Sequence, residues 1–590
     1  MRLVGNESFG ALRRGILTVA LLSATAGGAS AQMVFDGNLM WQNNLAGNAI
    51  ANQFVGSAGA GAPACAAGTT ALTLGTVTYT HNVLADPLLP DAPYKPNLLP
   101  NFQPALGSPA YGHAMTLPND GFFTQTCYTG AVGPNPADRW WDGWTTFDST
   151  GANRHDLHLG PPYDNSPRPL ATYDNVAIRG FTSWSPDSNY LVRGQLRIKN
   201  GAVLNIPPGV VVFEEFATLG TIVSERGGRL YAIGTACDPI IITSDDPPGF
   251  MARGHCGGIV LNGYGKTNVV NSCAGDSSAS EGGAIGFFGG NDDNDNSGTL
   301  RYVRVEYSGK EILPNDELNS FTWNACGHNT HGDYLEAFEG ADDSFEWFGG
   351  AMDQKYLIGI DGTDDGYDWQ LGTRNRAQFV IVRPFPGFSV AGDQNGDKGI
   401  EADDNEFDFN ATVCSGRSNT TVANMTAIGD HRVGAAFPGP TSGVNLRRGT
   451  EGVVLNSIFF DFKTAALKVD DDATWQAHCL APPAAPSVFC PGALGVAPPI
   501  TDGRVFVARS APNPFHNAVS FSFELPKAGN VAVQVYSADG RLVSTLQNGQ
   551  MEAGQHTVIW NVEKATPSGM YFYKVVANGN ESSGKIARVN

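Results

Sequence analysis

Acidic and basic side chains recur at one position of an internal repeat in the middle of the sequence. Residues 334–347 match residues 356–369 with a uniform shift of 22 residues, and the same register continues along the chain with loops inserted. Five polar side chains occupy equivalent positions in this register: Glu346, Asp368, Glu401, Asn445 and Lys468. Such a shift is close to one coil of a parallel β-helix, whose strands lie about 4.8 Å apart. We therefore expect these five residues, the polar column, to stack on the outer surface of the body.

The three carboxylates of the polar column would repel one another unless a raised pKa or a bound cation compensates. Acidic residues also occur at the turns beside the column, and hard oxygen ligands of this kind suit calcium. The predicted calcium ligands are Asp342, Asp343, Glu346, Asp364, Asp365 and Asp368. An inserted loop has the spacing of a calcium-loop start, although Lys398 replaces the turn glycine, and it adds Asp393, Asn395 and Asp397. The acidic loop from Asn291 to Asn296 is a further candidate.

Two interpretations of the polar column are open. In the structural interpretation, calcium and ion pairs between coils hold the repeat in register. The predicted ion pairs join Arg447 to Asp403 and Asp470, and Arg448 to Asp404 and Asp471.

In the catalytic interpretation, the column is an active site for extracellular polysaccharide. The candidate catalytic residues are Glu346, Asp368, Glu401, Arg447 and Lys468. In a lyase, the carboxylates and calcium would acidify a uronate while Arg447 or Lys468 takes the proton. In a glycoside hydrolase, two carboxylates would act as acid and base.

Two apolar ladders flank the polar column and predict the fold that positions it. Strand residues alternate between faces, so the neighbours of each column residue point inward. One ladder contains Phe345, Tyr367, Ile400, Val444 and Leu467, and the other contains Trp347, Trp369, Ala402, Leu446 and Val469. From Tyr190 onward the chain consists of short β runs punctuated by Gly and Asn, which favours a solenoid. We predict an all-β protein whose body, residues 190–479, is a right-handed parallel β-helix.

Several motifs in the body resemble those of a known family of secreted β-helix proteins that carry type IX sorting domains and have no known activity. The motifs lie in four segments, Gly201 to Gly209, Gly257 to Gly263, Asn294 to Leu300 and Asp342 to Gly350. The resemblance extends over about residues 190 to 475. It implies the fold and the route of export, and it implies no reaction.

A separate C-terminal unit, residues 503–590, follows a Pro- and Ala-rich linker at 480–502. Its short β runs and turn motifs predict an immunoglobulin-like β-sandwich. Motifs in this unit resemble the type IX C-terminal sorting domain or its flagellar-hook-cap relative, and they contain Pro512, Asn513, Pro514, Phe515, Gly540, Arg541, Gly569, Tyr571 and Lys585. The resemblance implies that the partner of this unit is the secretion machinery of the outer membrane.

The N-terminal residues have the order of a signal peptide, with Arg13 and Arg14, an apolar run, and small residues ending at Ala31. We expect cleavage after Ala31, so that residues 1–31 are removed. No later segment is apolar for long enough to predict a membrane span. Residues 32–189 are loop-rich and contain the Trp-rich segment 139–144, which we expect to cover one end of the core. Its alternative role is a sugar-stacking platform.

Composition restricts the functions open to the chain. The formal charge of −20 predicts a surface that repels nucleic acid and anionic lipid and attracts divalent cations. Nine cysteines in an exported chain predict disulfides, with Cys256–Cys273 and Cys479–Cys490 as candidate pairs. The absence of CxxC and HExxH motifs argues against a dedicated zinc site.

The resulting hypothesis is a protein secreted or held at the outer surface of a Gram-negative-type bacterium. We expect an adhesive or extracellular-glycan-binding role without catalysis, and calcium with a structural role. The alternative is a calcium-dependent polysaccharide lyase or glycoside hydrolase that uses the polar column.

Overall fold

A computed structural model describes residues 34–43, 54–57, 82–90, 100–147, 168–269, 278–309, 318–385, 398–430, 440–474 and 509–589, with short gaps inside these ranges. The chain divides into two compact units, Met1–Ala493 and Leu494–Asn590. The described residues form strands and two 3-10 helices, Pro136–Asp138 and Phe216–Thr218. No helix among them is both long and apolar enough to span a membrane.

The first unit contains two long sheets of parallel strands, as predicted for a parallel β-helix. We call the sheet with one short strand per coil the narrow sheet. Its strands, in stacking order, are Ala177–Ile178, Gln195–Ile198, Thr221–Ser224, Ile259–Asn262, Phe321–Asn324, Phe345–Phe348, Asp368–Gln370, Lys398–Ala402, Ser442–Leu446, Ala465–Asp470 and Phe54–Ser57.

The second sheet, the wide sheet, continues each coil after the narrow sheet. Its strands are Val34–Asp36, Leu39–Trp41, Val83–Leu84, Leu170–Asp174, Phe181–Ser183, Asn189–Arg193, Val203–Ile206, Val211–Glu214, Arg229–Ile233, Ile240–Ser244, Gly298–Glu306, His331–Phe338, Asp353–Ile360, Arg376–Arg383, Asn419–Ile428, Glu451–Leu455 and Ile458–Phe460. A separate antiparallel pair consists of Ser278–Ala279 and Phe287–Phe288.

The two predicted apolar ladders lie inside the helix. Trp347 is paired with Trp369 and Trp369 with Ala402 in adjacent parallel strands, which is the register inferred from the repeat. All ten ladder residues are buried in one continuous core. Because a shift of one residue would turn these side chains to the opposite face, this core fixes the register of the narrow sheet.

The long strands of the wide sheet bend at an aromatic residue in a left-handed conformation. Tyr302, Tyr334, Tyr356 and Phe379 have φ values of 49°, 57°, 63° and 63°. Their rings form a continuous stack with centroid distances of 4.5, 4.3 and 5.1 Å. A left-handed conformation costs a non-glycine residue roughly 1–2 kcal/mol, and ring stacking between coils offsets part of that cost.

The Trp-rich segment packs against the side of the helix, which differs from the expected position at one end of the core. Trp141 and Trp144 are 2% and 0% exposed and belong to a cluster with residues of the wide sheet. Trp144 meets Tyr302 edge-on at 5.6 Å, beside the aromatic stack. Neither of these two rings is available as a sugar-stacking platform.

The first described strands of the chain complete the last coil of the helix. Val34–Asp36 pairs with Glu451–Leu455, and Phe54–Ser57 pairs with Ala465–Asp470. At the other end, the first coil begins at Leu170. Residues that are more than 400 positions apart in sequence therefore hydrogen-bond as neighbours.

The second unit contains two antiparallel sheets that share one hydrophobic core. One sheet consists of Arg509–Ala511, Ala518–Leu525 and Gly554–Asn561, and the other of Gly529–Ser537, Leu542–Met551, Gly569–Ala577 and Asn580–Arg588. The predicted strands are present. The immunoglobulin-like connectivity stays a prediction.

One of the two predicted disulfides is absent from the structure. Cys256 is a free, buried thiol that donates a hydrogen bond to the Glu306 carbonyl at 3.0 Å, so the predicted Cys256–Cys273 disulfide is wrong. Cys127 and Cys414 each take part in a disulfide bond. Cys479 and Cys490 lie outside the described residues.

Candidate metal site on the narrow sheet

The polar column is assembled by the register of the narrow sheet. Glu346 lies opposite Asp368, Asp368 opposite Glu401, and Glu401 opposite Asn445 on successive strands. Lys468 follows Asn445. The five side chains point away from the core because their strand neighbours fill it.

The carboxylates of the column are buried, although they face outward from the helix. Glu346 is 3% exposed, and Asp368 and Glu401 are each 7% exposed. Lys468 is more accessible and pairs with Asp470 at 2.6 Å. Burial in a site of lower dielectric strengthens both the repulsion between these charges and their attraction for a cation.

The buried carboxylates form three overlapping trios together with the turn aspartates. Within each trio, one ligand oxygen from every residue lies within 4.8 Å of the others. The trios are Asp342, Asp343 and Asp364; Asp343, Glu346 and Asp368; and Asp365, Asp368 and Glu401. Each trio joins residues from adjacent coils, so one ion would link two coils.

Burial and mutual repulsion act in the same direction on the pKa values of Asp343 and Asp368. Burial and the neighbouring Asp368, Asp342, Asp365 and Asp364 raise the pKa of Asp343 well above its usual range. Burial, followed by Asp403 and Asp365, does the same to the pKa of Asp368. Oδ1 of Asp368 is buried and has no hydrogen-bond partner within the described part of the chain. An acceptor oxygen in this position is a ready ligand for a cation.

The two ends of the column differ in charge balance. Around Glu401, Lys398 Nζ lies 2.6 Å from the carboxylate and Arg447 contacts its other oxygen. At Glu346, the amides of Asn319 and Gln370 donate hydrogen bonds to its two oxygens. Amides orient a carboxylate without neutralising it. The trio of Asp343, Glu346 and Asp368, the central trio, is therefore the best candidate cation site.

The predicted ion-pair ladder is only partly correct. Arg447 Nε donates to Asp403 Oδ1 at 2.8 Å, as expected. The Arg448 side chain pairs with Asp403 at 2.7 Å and not with Asp404, so that prediction is wrong. Asp404 instead accepts hydrogen bonds from the Asn268 side chain and the Ser418 backbone, both at 2.6 Å. Arg448 reaches Asp471 only through its backbone N–H.

Sequence reasoning missed three residues of the site. Lys398 was interpreted only as a departure from a calcium loop, yet it lies 3.5 Å from Asp365 and pairs with Glu401. Asn319 and Gln370 orient Glu346, but no spacing in the repeat distinguishes them from other surface amides. Gln370 could have been suspected, since it occupies the strand position two residues after Asp368 and shares its face.

Of the two other predicted calcium loops, one stays a prediction and the other is paired with cations. Asp393, Asn395 and Asp397 lie outside the described residues. In the loop from Asn291 to Asn296, Asp293 pairs with Lys266 at 2.8 Å and with Arg374 at 2.7 Å. These two cations lower the pKa of Asp293 despite its partial burial. Asp293 therefore stays ionised, and Lys266 and Arg374 already neutralise its charge.

Some of the predicted sorting residues can be placed in the second unit. Phe515 is buried in its core, and its backbone bridges to Arg588. Tyr571 is buried and its hydroxyl donates to the Pro567 carbonyl at 2.6 Å, just before the strand that starts at Gly569. Lys585 lies opposite Phe572 in the last strand, and Arg541 is exposed. Pro512, Asn513, Pro514 and Gly540 lie outside the described residues.

Two family matches agree with this architecture. Residues 177–482, just over half of the chain, match the family described as a pectate-lyase-like beta helix domain. Residues 511–588 match the secretion system C-terminal sorting domain. The second match identifies an exported protein that the type IX system delivers to the cell surface or the exterior. No curated protein matches the chain at a significant level.

Proposed function

The chain belongs to the family of pectate-lyase-like β-helix domains, and on that premise we propose that it is a non-catalytic surface protein that binds extracellular glycan. Calcium at the central trio stabilises its β-helix. The proposal combines an export signal, a long rigid body and a buried acidic site, and each of these has a separate physical basis.

The observation that carries the calcium proposal is the convergence of three buried carboxylates in the central trio. Its ligand oxygens converge within 4.8 Å, and Oδ1 of Asp368 has no hydrogen-bond partner among the described residues. Carboxylate oxygens without sulfur or imidazole ligands favour calcium over zinc. Asp343, Glu346 and Asp368 would hold the ion, and it would supply positive charge that offsets the repulsion between carboxylates of two adjacent coils.

The burial of the column argues against catalysis at this site. A polysaccharide must reach the groups that act on it, and the three column carboxylates are each less than a tenth exposed. The candidate base Arg447 already pairs with Glu401 and Asp403. Because both oxygens of Glu401 and the guanidinium of Arg447 are already held in ion pairs, the column is suited to a structural role.

Direct calcium titration tests this proposal. Mature protein freed of metal by a chelator should bind calcium in isothermal titration calorimetry. The double substitution Glu346→Gln with Asp368→Asn should abolish that binding, because it removes two of the three charged ligands. Asp293→Asn is the matched control, since Asp293 is already paired with Lys266 and Arg374. Undiminished binding in the double variant would place the ion elsewhere.

A second candidate function, a polysaccharide lyase, is favoured by one observation. The family model that matches the body is described as a pectate-lyase-like beta helix domain, and Arg447 lies beside the column carboxylate Glu401. A lyase acting on a uronate leaves a double bond that absorbs ultraviolet light. Under the non-catalytic proposal, wild-type protein with calcium and oligogalacturonate should produce no increase in absorbance. An increase that Arg447→Ala abolishes would establish the lyase instead.

A further inference from the structure

A polar groove crosses four successive coils at the corner where the narrow sheet leads into the wide sheet. It encloses about 470 Å³ and is lined by Asn200, Gly201, Ala202, Gly227, Arg229, Tyr264, Asp292, Asn294, Asp295, Asn296 and Asn329. The pairings of Val203 with Arg229, Leu230 with Gly298 and Thr299 with His331 place these residues on consecutive coils. Three coil spacings give the groove a length of about 14 Å. We call it the corner groove.

The lining of the corner groove matches a hydroxyl-rich ligand better than an apolar one. Most small-molecule pockets are predominantly apolar, whereas this groove presents asparagine side chains, one guanidinium, two carboxylates and the Tyr264 phenol. An amide both donates and accepts hydrogen bonds, as a sugar hydroxyl does. The amides of the lining therefore fit an oligosaccharide, whose hydroxyl groups both donate and accept hydrogen bonds.

The charges of the groove indicate which sugars it takes. The exposed Arg229 and Asp292 carry opposite charges. The second acidic residue, Asp295, is 5% exposed and already accepts a hydrogen bond from Ser297 at 2.9 Å. With one arginine against two aspartates, the groove gives an anionic uronate chain no net attraction. A neutral oligosaccharide meets Arg229 and Asp292 where they are still exposed to water, and Asp295 where it is already hydrogen-bonded.

The polar groups of the groove are held in place before a ligand arrives. Asn200 Nδ2 donates to the Tyr264 hydroxyl at 3.2 Å, and Arg226 lies over the Tyr264 ring at 5.1 Å. Arg229 Nε donates to the Asn296 carbonyl at 3.2 Å, and Asn329 Nδ2 donates to the Asn294 carbonyl at 2.7 Å. Groups that are already ordered lose less conformational entropy on binding.

Glycine keeps one part of the groove floor open. Gly201 has a φ of 77°, and a Cβ added there would meet nothing within 4 Å, so the space above it is free. The conformation favours glycine, and the missing side chain leaves room for a ligand beside Asn200.

We propose that the corner groove is a binding site for a short neutral oligosaccharide. The inference rests on the proposed glycan-binding function and specifies where, and for which class of sugar, that function operates. The groove lies at a corner of the helix, and its lining shares no residue with the central trio.

Binding measurements on the full mature protein test the corner groove. The probes are neutral gluco-, manno- and xylo-oligosaccharides, with oligogalacturonate as the acidic comparison, each titrated by calorimetry. We expect binding of at least one neutral probe, and Arg229→Ala or Asn329→Ala should weaken it about tenfold or more, as loss of a hydrogen bond in a polar site does. Arg193→Ala is the matched control, because Arg193 is an exposed arginine that pairs with Glu215 away from the groove.

The outcomes separate this inference from the proposed function. If the wild type binds a neutral probe and both groove variants bind it equally well, glycan binding stands and the corner groove is wrong. If the wild type binds none of the probes, the proposed glycan-binding function fails together with the groove. Preferential binding of oligogalacturonate would overturn the assignment to neutral sugars. Unchanged melting temperatures of the variants show that any loss of binding is local.

Discussion

At the scale of single residues, the central trio combines charge and burial in a way that the protein must compensate. Two unit charges about 4.8 Å apart repel by roughly 3 kcal/mol at an effective dielectric near 20. Natural domains are stable by only about 5–15 kcal/mol. Protonation and cation binding are the two available remedies, and they respond to pH in opposite directions.

Without calcium, the wild-type protein should become more stable as the pH falls from 7.5 to 5.5. The pKa values of Asp343 and Asp368 are raised in the folded state, and that of Asp403 is raised to about 7, mainly by burial. Unfolded carboxyls titrate near 4, so only the folded state takes up these protons in this pH window, and the uptake stabilises it. Thermal melts in a chelator at both pH values measure the effect.

The control for this pH effect is the pair of variants already described. Glu346→Gln with Asp368→Asn should reduce the gain at pH 5.5, because it removes Asp368, one of the carboxyls that take up protons. Asp293→Asn should retain the gain, since the pKa of Asp293 is lowered by its cationic partners. An identical pH dependence in the wild type and the double variant would contradict the assignment.

At the scale of elements, the repeat was predictable where its period was short and uninterrupted. Trp347 and Trp369, 22 residues apart, revealed the coil, and the inward ladders followed from strand alternation. The closing strand Val34–Asp36 was not predictable, because it is three residues long and its partner begins at Glu451. Burial of the column was also missed, since no local pattern shows that Asn319 and Lys398 cover the carboxylates.

The closing strands, Val34–Asp36 and Leu39–Trp41, are joined to the rest of the helix by Asn38, which lies between them. Their contribution to stability can be tested at this residue. This buried side chain donates to the Val454 carbonyl at 3.2 Å and accepts from the Ser457 N–H at 2.8 Å, so it joins the start of the chain to its last coil. Asn38→Ala should lower the free energy of unfolding by about 1–3 kcal/mol, because it leaves two buried backbone groups without a partner. Urea unfolding of the mature protein measures this loss.

The matched control for Asn38 is Asn205→Ala at the other end of the helix. Asn205 donates to the Ser183 hydroxyl at 3.0 Å in an exposed position, so its loss should change the unfolding free energy by less than about 0.5 kcal/mol. If the two substitutions have equal effects, the closing strands do not stabilise the last coil as described.

At the scale of the whole molecule, the sorting domain and the β-helix body lie in different units of the chain. The sorting domain match lies in residues 511–588, and the β-helix family match ends at residue 482. The second unit has its own core, which includes Phe515, Trp560 and Tyr571. A unit with its own core can carry the secretion signal independently of what the body binds.

Deleting residues 503–590 should therefore stop export without preventing removal of the signal peptide. The truncated body should accumulate in the periplasm, with a mature N-terminus after Ala31 that mass spectrometry can establish. Cell fractionation of the full-length chain under the same promoter is the control. Finding the truncated protein outside the cell at normal levels would show that the sorting assignment is wrong.

The most direct test of the central claim, that a cation in the central trio holds the coils together, is the melting temperature of the mature protein with and without calcium at neutral pH. A ligand at about 100 times its dissociation constant stabilises the folded state by about 2.7 kcal/mol. The wild type should therefore melt about 3 °C or more higher with calcium than in chelator, whereas Glu346→Gln with Asp368→Asn should melt at one temperature in both. If the chelated and calcium-loaded wild-type proteins melt together, the central trio does not hold a structural cation.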